Sequence, residues 1–405
     1  MAAETQTETC GEALIALLER YGIDTVFGIP GVHTLALYRG LAKSGIRHVL
    51  VRHEQGASFA ADGYARASGK PAVACVITGP GVTNAATGIG QAYSDSVPVL
   101  MISSVNETWS LGQGTGRLHE MQDQQALTAP ITGFSARAQN AGQVPGLLAK
   151  AYSLFTGERP RPVHIEIPLD VLDEAVAETW PVRRDTGLRQ PAPEPLAEAV
   201  TLLRDAKRPL ILLGGGALDA AREIPALAEL LQAPVLTTVA AKGLLPESHP
   251  LAAGSAVSMP SGREFAGEAD CLLVVGSELA ETDLWAEAIP VGGSMIRVDL
   301  DPDRLSDRYQ AEVPLLAHAA AAVPAILAGL QAADLGPRDP NWGAAAVAHQ
   351  RAACLAEYTP LMHRHAQVLG ALRAALPDDG IVMTDMTQIA YSGNVIFPVE
   401  QPRSW

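Results

Sequence analysis

The chain has 405 residues, 48% of them hydrophobic and 18% charged, and a formal net charge of −15. Length and composition call for two or three packed domains and exclude a disordered chain. The acidic balance excludes a protein built to neutralise nucleic-acid phosphates, although helix N-termini still bind small anions. The four cysteines, Cys10, Cys75, Cys271 and Cys354, lie far apart and form no C-x-x-C pair, which leaves out a thiol-based zinc or redox motif and fits a reducing compartment. The N-terminus has neither the basic region nor the apolar stretch of a secretory leader. No apolar run approaches the ~20 residues of a spanning helix. A cytoplasmic protein without membrane or nucleic-acid partners is expected.

In chain order, short apolar runs at 25–29, 48–52, 72–78, 97–103 and 163–167 read as buried strands, and 54–67 and 83–93 between them carry helical periodicity. Such alternation predicts parallel strands joined by crossover helices. Gly28-Ile29-Pro30-Gly31 and Gly79-Pro80-Gly81 punctuate two strand ends. That is where open α/β sheets bind ligands. Residues 179–195 are rich in Pro, Arg and Glu and read as a linker. A second α/β unit follows, with strands at 209–213, 272–275 and 295–300 and a helix at 317–330. A helix over 361–376 and a strand over 381–384 then lead to Asp385 and to the last residue, Trp405. The fold class is thus α/β, with doubly wound, mostly parallel sheets in consecutive domains. The domains expected are 1–178, 196–335 and, as the start of a third that is cut short, 336–405.

The chemistry concentrates in Arg52-His53-Glu54-Gln55-Gly56-Ala57, where a strand passes into a helix rich in Ala and Gly. Glu54 has two readings there. It is either a first-turn acid favoured by the helix dipole or a poorly solvated acid that hydrogen-bonds a ring nitrogen. The turns at Phe27-Gly28-Ile29-Pro30-Gly31 and Thr78-Gly79-Pro80-Gly81-Val82-Thr83-Asn84 favour the second, because three neighbouring strand ends then carry special residues.

These motifs resemble the thiamine diphosphate enzymes that include acetolactate synthases, pyruvate oxidases and benzoylformate-type decarboxylases. The resemblance covers nearly the whole chain and is strongest through residue 175. It implies a pyrimidine-binding domain followed by a Rossmann-like central domain. It implies that Glu54 hydrogen-bonds the aminopyrimidine and favours its imino tautomer, which activates the thiazolium. Pro30, Thr78, Asn84 and Gln388 become cofactor-binding positions. It also implies a homodimer or a dimer of dimers, with each site shared between two chains.

Val32-His33-Thr34, Ser103-Ser104-Val105-Asn106-Glu107 and Gly116-Arg117-Leu118-His119-Glu120-Met121 resemble the 5-guanidino-2-oxopentanoate (2-oxoarginine) decarboxylases within that family. On that resemblance His119 is a proton donor, or a loop histidine bonded to backbone, with His33 a second candidate donor or a polar residue of a helix start. Arg117 is expected at the substrate carboxylate, or on a solvated loop. Glu120 and Asp123 are expected at the guanidinium. In the FAD-binding members a basic run follows the strand near Gly276. Here the run is Ser277-Glu278-Leu279-Ala280-Glu281-Thr282-Asp283, whose acidity opposes a diphosphate, so FAD is not expected. The Gly-Asp-Gly signature that holds magnesium in the family is absent from the sequence. Magnesium ligands are therefore expected beyond Trp405, and this chain alone is expected to be inactive. Two further readings stay open: an acetolactate synthase catalytic subunit, and a scaffold or fragment without the diphosphate domain.

Overall fold

The computed structural model describes residues 8–183 and 187–405. The first seven residues, which include part of the N-terminal segment read above, and residues 184–186 of the expected linker lie outside the described residues. The chain divides into two units, Met1–Gly187 and Leu188–Trp405.

The first unit is built on six strands: β1 Thr25–Gly28, β2 Arg47–Leu50, β3 Ala72–Val76, β4 Val99–Val105, β5 Phe134–Arg137 and β6 Val163–Pro168. They form one parallel sheet in the order β2-β1-β3-β4-β6-β5. Crossovers between the strands carry helices α1 Cys10–Arg20 (which precedes β1), α2 Leu35–Leu41, α3 Glu54–Ser68, α4 Pro80–Ser94, α5 Gln124–Thr128 and α6 Val144–Gly157. Both faces of the sheet are buried, and the period of two along each strand divides the core. Val73 and Cys75 join Leu100 and Ile102 in one cluster with Leu14, Leu37 and Leu148. Ala72, Ala74 and Val76 join Val99 and Met101 in the other, beneath α3 and α4.

That second face is made of small side chains, so α3 and α4 approach closely. A Cβ placed on Gly88 would lie 2.4 Å from Ser58 Oγ, closer than any real Cβ contact. Glu54 and Asn84 stand four residues before Ser58 and Gly88 on their helices, one turn nearer the sheet's carboxyl edge.

The second unit carries a second six-stranded parallel sheet of β7 Pro209–Leu213, β8 Val235–Thr237, β9 Ala252–Gly254, β10 Cys271–Val275, β11 Ser294–Asp299 and β12 Val313–Leu316, in the order β9-β8-β7-β10-β11-β12. Its glycine-rich strand ends have a packing cause. Gly216 N–H donates to the Gly276 carbonyl at 3.0 Å, and a Cβ on Gly214 would lie 2.2 Å from that same oxygen. The two turns close on each other, which no larger residue permits.

The expected strands and helices are found with ends shifted by at most three residues, except that one expected strand is absent, and four strands, β5, β8, β9 and β12, were not read from the sequence. Residues 381–384 form no strand: Ile381, Met383 and Thr384 are exposed, and the segment lies in no sheet. A lone apolar run has no ladder to join. Conversely β5, an edge strand of half-buried residues, escaped the sequence reading because Phe134-Ser135-Ala136-Arg137 alternates weakly.

Candidate active site

Glu54 is the first residue of α3. His53, the N-cap, accepts the Gln55 N–H on its ring Nδ1 at 3.2 Å, so the strand-to-helix passage is held by its own chain. The Glu54 side chain is half-buried, less secluded than its Ala-rich surroundings predict. Asn84 Nδ2 donates to Glu54 Oε2 at 2.9 Å, leaving Oε1 without a partner among the described residues. The two residues lie thirty apart in sequence, and the close approach of α3 and α4 brings them together.

Asn84 is delivered by the turn at Gly79, whose φ of 66° and ψ of −106° only glycine adopts without strain. This turn is anchored twice. Gly79 N–H donates to Gln124 Oε1 at 2.8 Å, and a Cβ on Gly79 would stand 2.3 Å from the His119 carbonyl. Thr78 is buried, and its hydroxyl donates to Ser104 Oγ at 3.0 Å. It therefore ties two strand ends together. Pro30 is exposed at the end of β1.

The segment from Gly112 to Gln124 is shaped by its carboxylates. Glu120 accepts the backbone N–H groups of Gly114, Gly116 and Arg117 at 3.0, 2.7 and 3.0 Å. These bonds, led by the one from Arg117, hold its carboxyl below the usual carboxylate range. Asp123 caps α5 by accepting the Ala126 N–H at 2.9 Å. Both acids expected at a guanidinium are thus engaged with their own loop. The Arg117 guanidinium lies 4.2 Å from the centre of the Trp109 ring, a cation–π contact. Leu118 O accepts from Asn106 Nδ2 at 3.0 Å. His119 follows in the left-handed region at φ 59°, and its ring meets that of His33 edge to face, centroids 5.7 Å apart.

Beneath this loop lies a buried polar network that the sequence reading missed. Gln124 Nε2 donates to Ser103 Oγ, Ser104 O and Glu166 Oε2 at 2.9, 2.9 and 3.0 Å. Glu166 also accepts from Arg137 at 2.5 Å; burial raises its carboxyl pKa and Arg137 opposes the rise. His164 bonds Ser103 Oγ and Thr128 Oγ1 at 2.8 and 2.7 Å. Burial pushes its imidazole down to about 3, so it is neutral. The signal was present in Val163-His164-Ile165-Glu166-Ile167, whose polar residues alternate onto one face. Gln388, in the second unit, is the exposed first residue of the helix Gln388–Ile396.

A half-buried carboxylate with an open oxygen, steadied by an amide at parallel strand ends, suits a ring nitrogen of an aminopyrimidine. The chain belongs to the thiamine pyrophosphate enzymes. Residues 8–127 match the family model described as "Thiamine pyrophosphate enzyme, N-terminal TPP binding domain", and residues 196–326 match that of the central domain. Among its relatives, the probable 2-ketoarginine decarboxylase of Pseudomonas aeruginosa is 55% identical over 404 residues, covering 99% of this chain and 71% of the relative. The large subunit of acetolactate synthase isozyme 1 of Escherichia coli is 32% identical over 98% of this chain and 71% of its own length. A probable acetolactate synthase large subunit of Methanocaldococcus jannaschii is 34% identical over 81% of this chain and 57% of its own.

Proposed function

We propose that the protein takes part in thiamine diphosphate-dependent, non-oxidative decarboxylation of a 2-oxo acid, with 2-oxoarginine as substrate. The observation that carries the cofactor reading is the Glu54–Asn84 pair; the 55% identity to a probable 2-ketoarginine decarboxylase supports the substrate. When bound, thiamine diphosphate supplies a carbon nucleophile and an electron sink. The residues present fit its pyrimidine end. Glu54 would hold a ring nitrogen through Oε1 while Asn84 fixes Oε2, and the Gly79 turn and Pro30 would border the ring. They do not fit its diphosphate end: no cluster of three or more acidic, His or Cys side chains suited to a metal occurs among the described residues. We assign magnesium and the diphosphate to protein segments outside these residues and derive no step through them. Gln388 is retained as a position near the diphosphate. FAD has no part in the reading, given the acidic run from Ser277 to Asp283.

His119 would protonate the carbon that has lost the carboxylate, and Arg117 would draw in the substrate's carboxylate group. The reading includes a homodimer or dimer of dimers. Val32, Leu35, Leu50 and Phe59, large apolar side chains exposed on the first unit, support it. No helix among the described residues is long and apolar enough to cross a membrane; with four buried free thiols, this supports a cytoplasmic enzyme.

The experiment is turnover of 2-oxoarginine and of pyruvate by the intact protein with thiamine diphosphate and magnesium, beside Glu54→Gln. The expected result is a preference for 2-oxoarginine of at least tenfold in kcat/KM and a Glu54→Gln variant slowed by at least 100-fold, the lower range for a lost proton-transfer group. An unchanged rate in Glu54→Gln would sink the cofactor reading. Acetolactate formed from pyruvate would favour the synthase reading instead.

A further inference from the structure

The carboxylates at the carboxyl edge of the first sheet differ in what already holds them. Glu166 is buried against Arg137 and Gln124. Glu120 gathers three backbone N–H groups, and Asp123 caps α5. Asp170 accepts the N–H of Thr108 at 3.0 Å and its hydroxyl as well. Glu54 is engaged by Asn84 and reads as the cofactor's acid. That leaves Glu107. Its only side-chain bond among the described residues is a long one, from Ser110 Oγ to Oε2 at 3.4 Å, and Oε1 has no partner there. The residue is half-buried, and an unpaired carboxylate drawn away from water is costly.

The chain around Glu107 holds it at the site. It stands two residues past the end of β4, after Asn106, whose amide fixes the Leu118 carbonyl. Ser110 donates its N–H and its hydroxyl to the Glu107 carbonyl at 2.8 and 2.9 Å, so the turn is set without using the carboxylate. That carboxylate is near enough to His33 for its charge to oppose the burial, and then the His119 charge, that lower the imidazole's pKa. Two residues on, Trp109 is 58% exposed, and its ring already takes a guanidinium: that of Arg117, 4.2 Å from the ring centre. A carboxylate with an open oxygen beside an aromatic ring suits a guanidinium, which offers charge-assisted N–H bonds to the one and a flat face to the other.

We propose that Glu107 is the residue that selects a 2-oxo acid with a guanidinium at its far end, its carboxylate accepting the guanidinium N–H groups while Trp109 flanks them. This assignment rests on the proposed reaction, and it gives Glu107 the place expected of Glu120 and Asp123. The role is binding and orientation: no bond of the substrate is made or broken at Glu107. A substrate with a cationic end gains from the carboxylate, and one of the same shape with a neutral end gains much less. Discrimination therefore lives in this one side chain, whereas Glu120 serves every substrate alike by shaping the loop.

The test compares kcat/KM of the intact protein, with thiamine diphosphate and magnesium, for 2-oxoarginine and for 5-ureido-2-oxopentanoate, which has the same length and shape but a neutral end. The ratio of the two values should fall by about 10- to 100-fold in Glu107→Gln, the range for hydrogen bonds to a charged group, and should recover in part in Glu107→Asp. A merely structural Glu107 would lower both values together, and an unmoved ratio would overturn the assignment. If 2-oxoarginine is not turned over, or Glu54→Gln keeps its rate, the reaction reading fails and binding decides Glu107. Calorimetric titration with 5-guanidinopentanoate and with pentanoate then serves. A guanidino acid bound at least about tenfold more tightly than pentanoate, with the gap lost in Glu107→Gln, keeps the assignment. Equal affinity for the two acids in the wild type, or a gap that survives in the variant, overturns it.

Discussion

Replacing Gln124 by Leu keeps the volume of the side chain roughly constant and removes four hydrogen bonds. Their partners are Gly79 N, Ser103 Oγ, Ser104 O and Glu166 Oε2, at 2.8 to 3.0 Å. Two of these partners are covered elsewhere: Ser103 keeps His164, and Glu166 keeps Arg137. The Gly79 N–H is stranded, because it sits in a buried turn and its side-chain acceptor is Gln124. A stranded buried donor costs about 1–3 kcal/mol, and each lost but compensated bond about 0.5–1.5 kcal/mol. The expected loss is therefore about 2–6 kcal/mol, measured by urea unfolding at neutral pH. The Gly79 turn starts α4, and α4 carries Asn84 to Glu54, so thiamine diphosphate affinity should also fall by about tenfold. Gln124→Glu is not expected to rescue, since it keeps the acceptor for Gly79 but sets a carboxylate against Glu166. A loss below 1 kcal/mol with an unchanged m-value would refute the reasoning, because it would mean the turn satisfies itself.

Gly79→Ala combines a φ of 66° with a Cβ 2.3 Å from the His119 carbonyl; a loss of about 3 kcal/mol or more in unfolding free energy is expected. Glu120→Ala should free three N–H groups and loosen the loop, lowering kcat for pyruvate and 2-oxoarginine by the same factor. A guanidinium contact would instead raise KM for 2-oxoarginine alone. Acid should destabilise the first unit through His164. Burial pushes its imidazole down to about 3 in the folded chain, well below the ordinary value of about 6.5, so the unfolded chain takes up the proton first. Stability is full above about pH 6.5 and falls as the pH drops toward 3, with a slope of up to about 1.4 kcal/mol per pH unit. Unfolding at pH 7 and pH 5 checks it, and a flat profile would count against a neutral buried His164.

Short apolar runs with glycine at their ends were legible in sequence as buried strands. That Val73 and Cys75 face one core and Ala72, Ala74 and Val76 the other was not legible, because all five side chains are apolar. The Glu54 and Asn84 positions were legible as members of a motif, but their contact was not. It depends on how closely two helices pack, which Ser58 and Gly88 decide and no local pattern announces. The over-read strand at 381–384 shows the opposite limit: an apolar run specifies a strand only where a ladder partner exists.

The loop bonds made by the carboxylates at 120 and 123 were not legible in the sequence, for a related reason. An acid near a ligand-binding motif looks like a ligand group as long as only spacing is known. Here the glycines at 112, 114 and 116 all have positive φ, and such backbone turns its N–H groups inward as an anion-binding concavity. Glu120 fills it from within the chain. The loop thus resembles an occupied anion site, and its product is the left-handed His119 beside His33. The acid acts on the reaction by fixing where an imidazole stands, which is why its removal should change rate and not substrate choice.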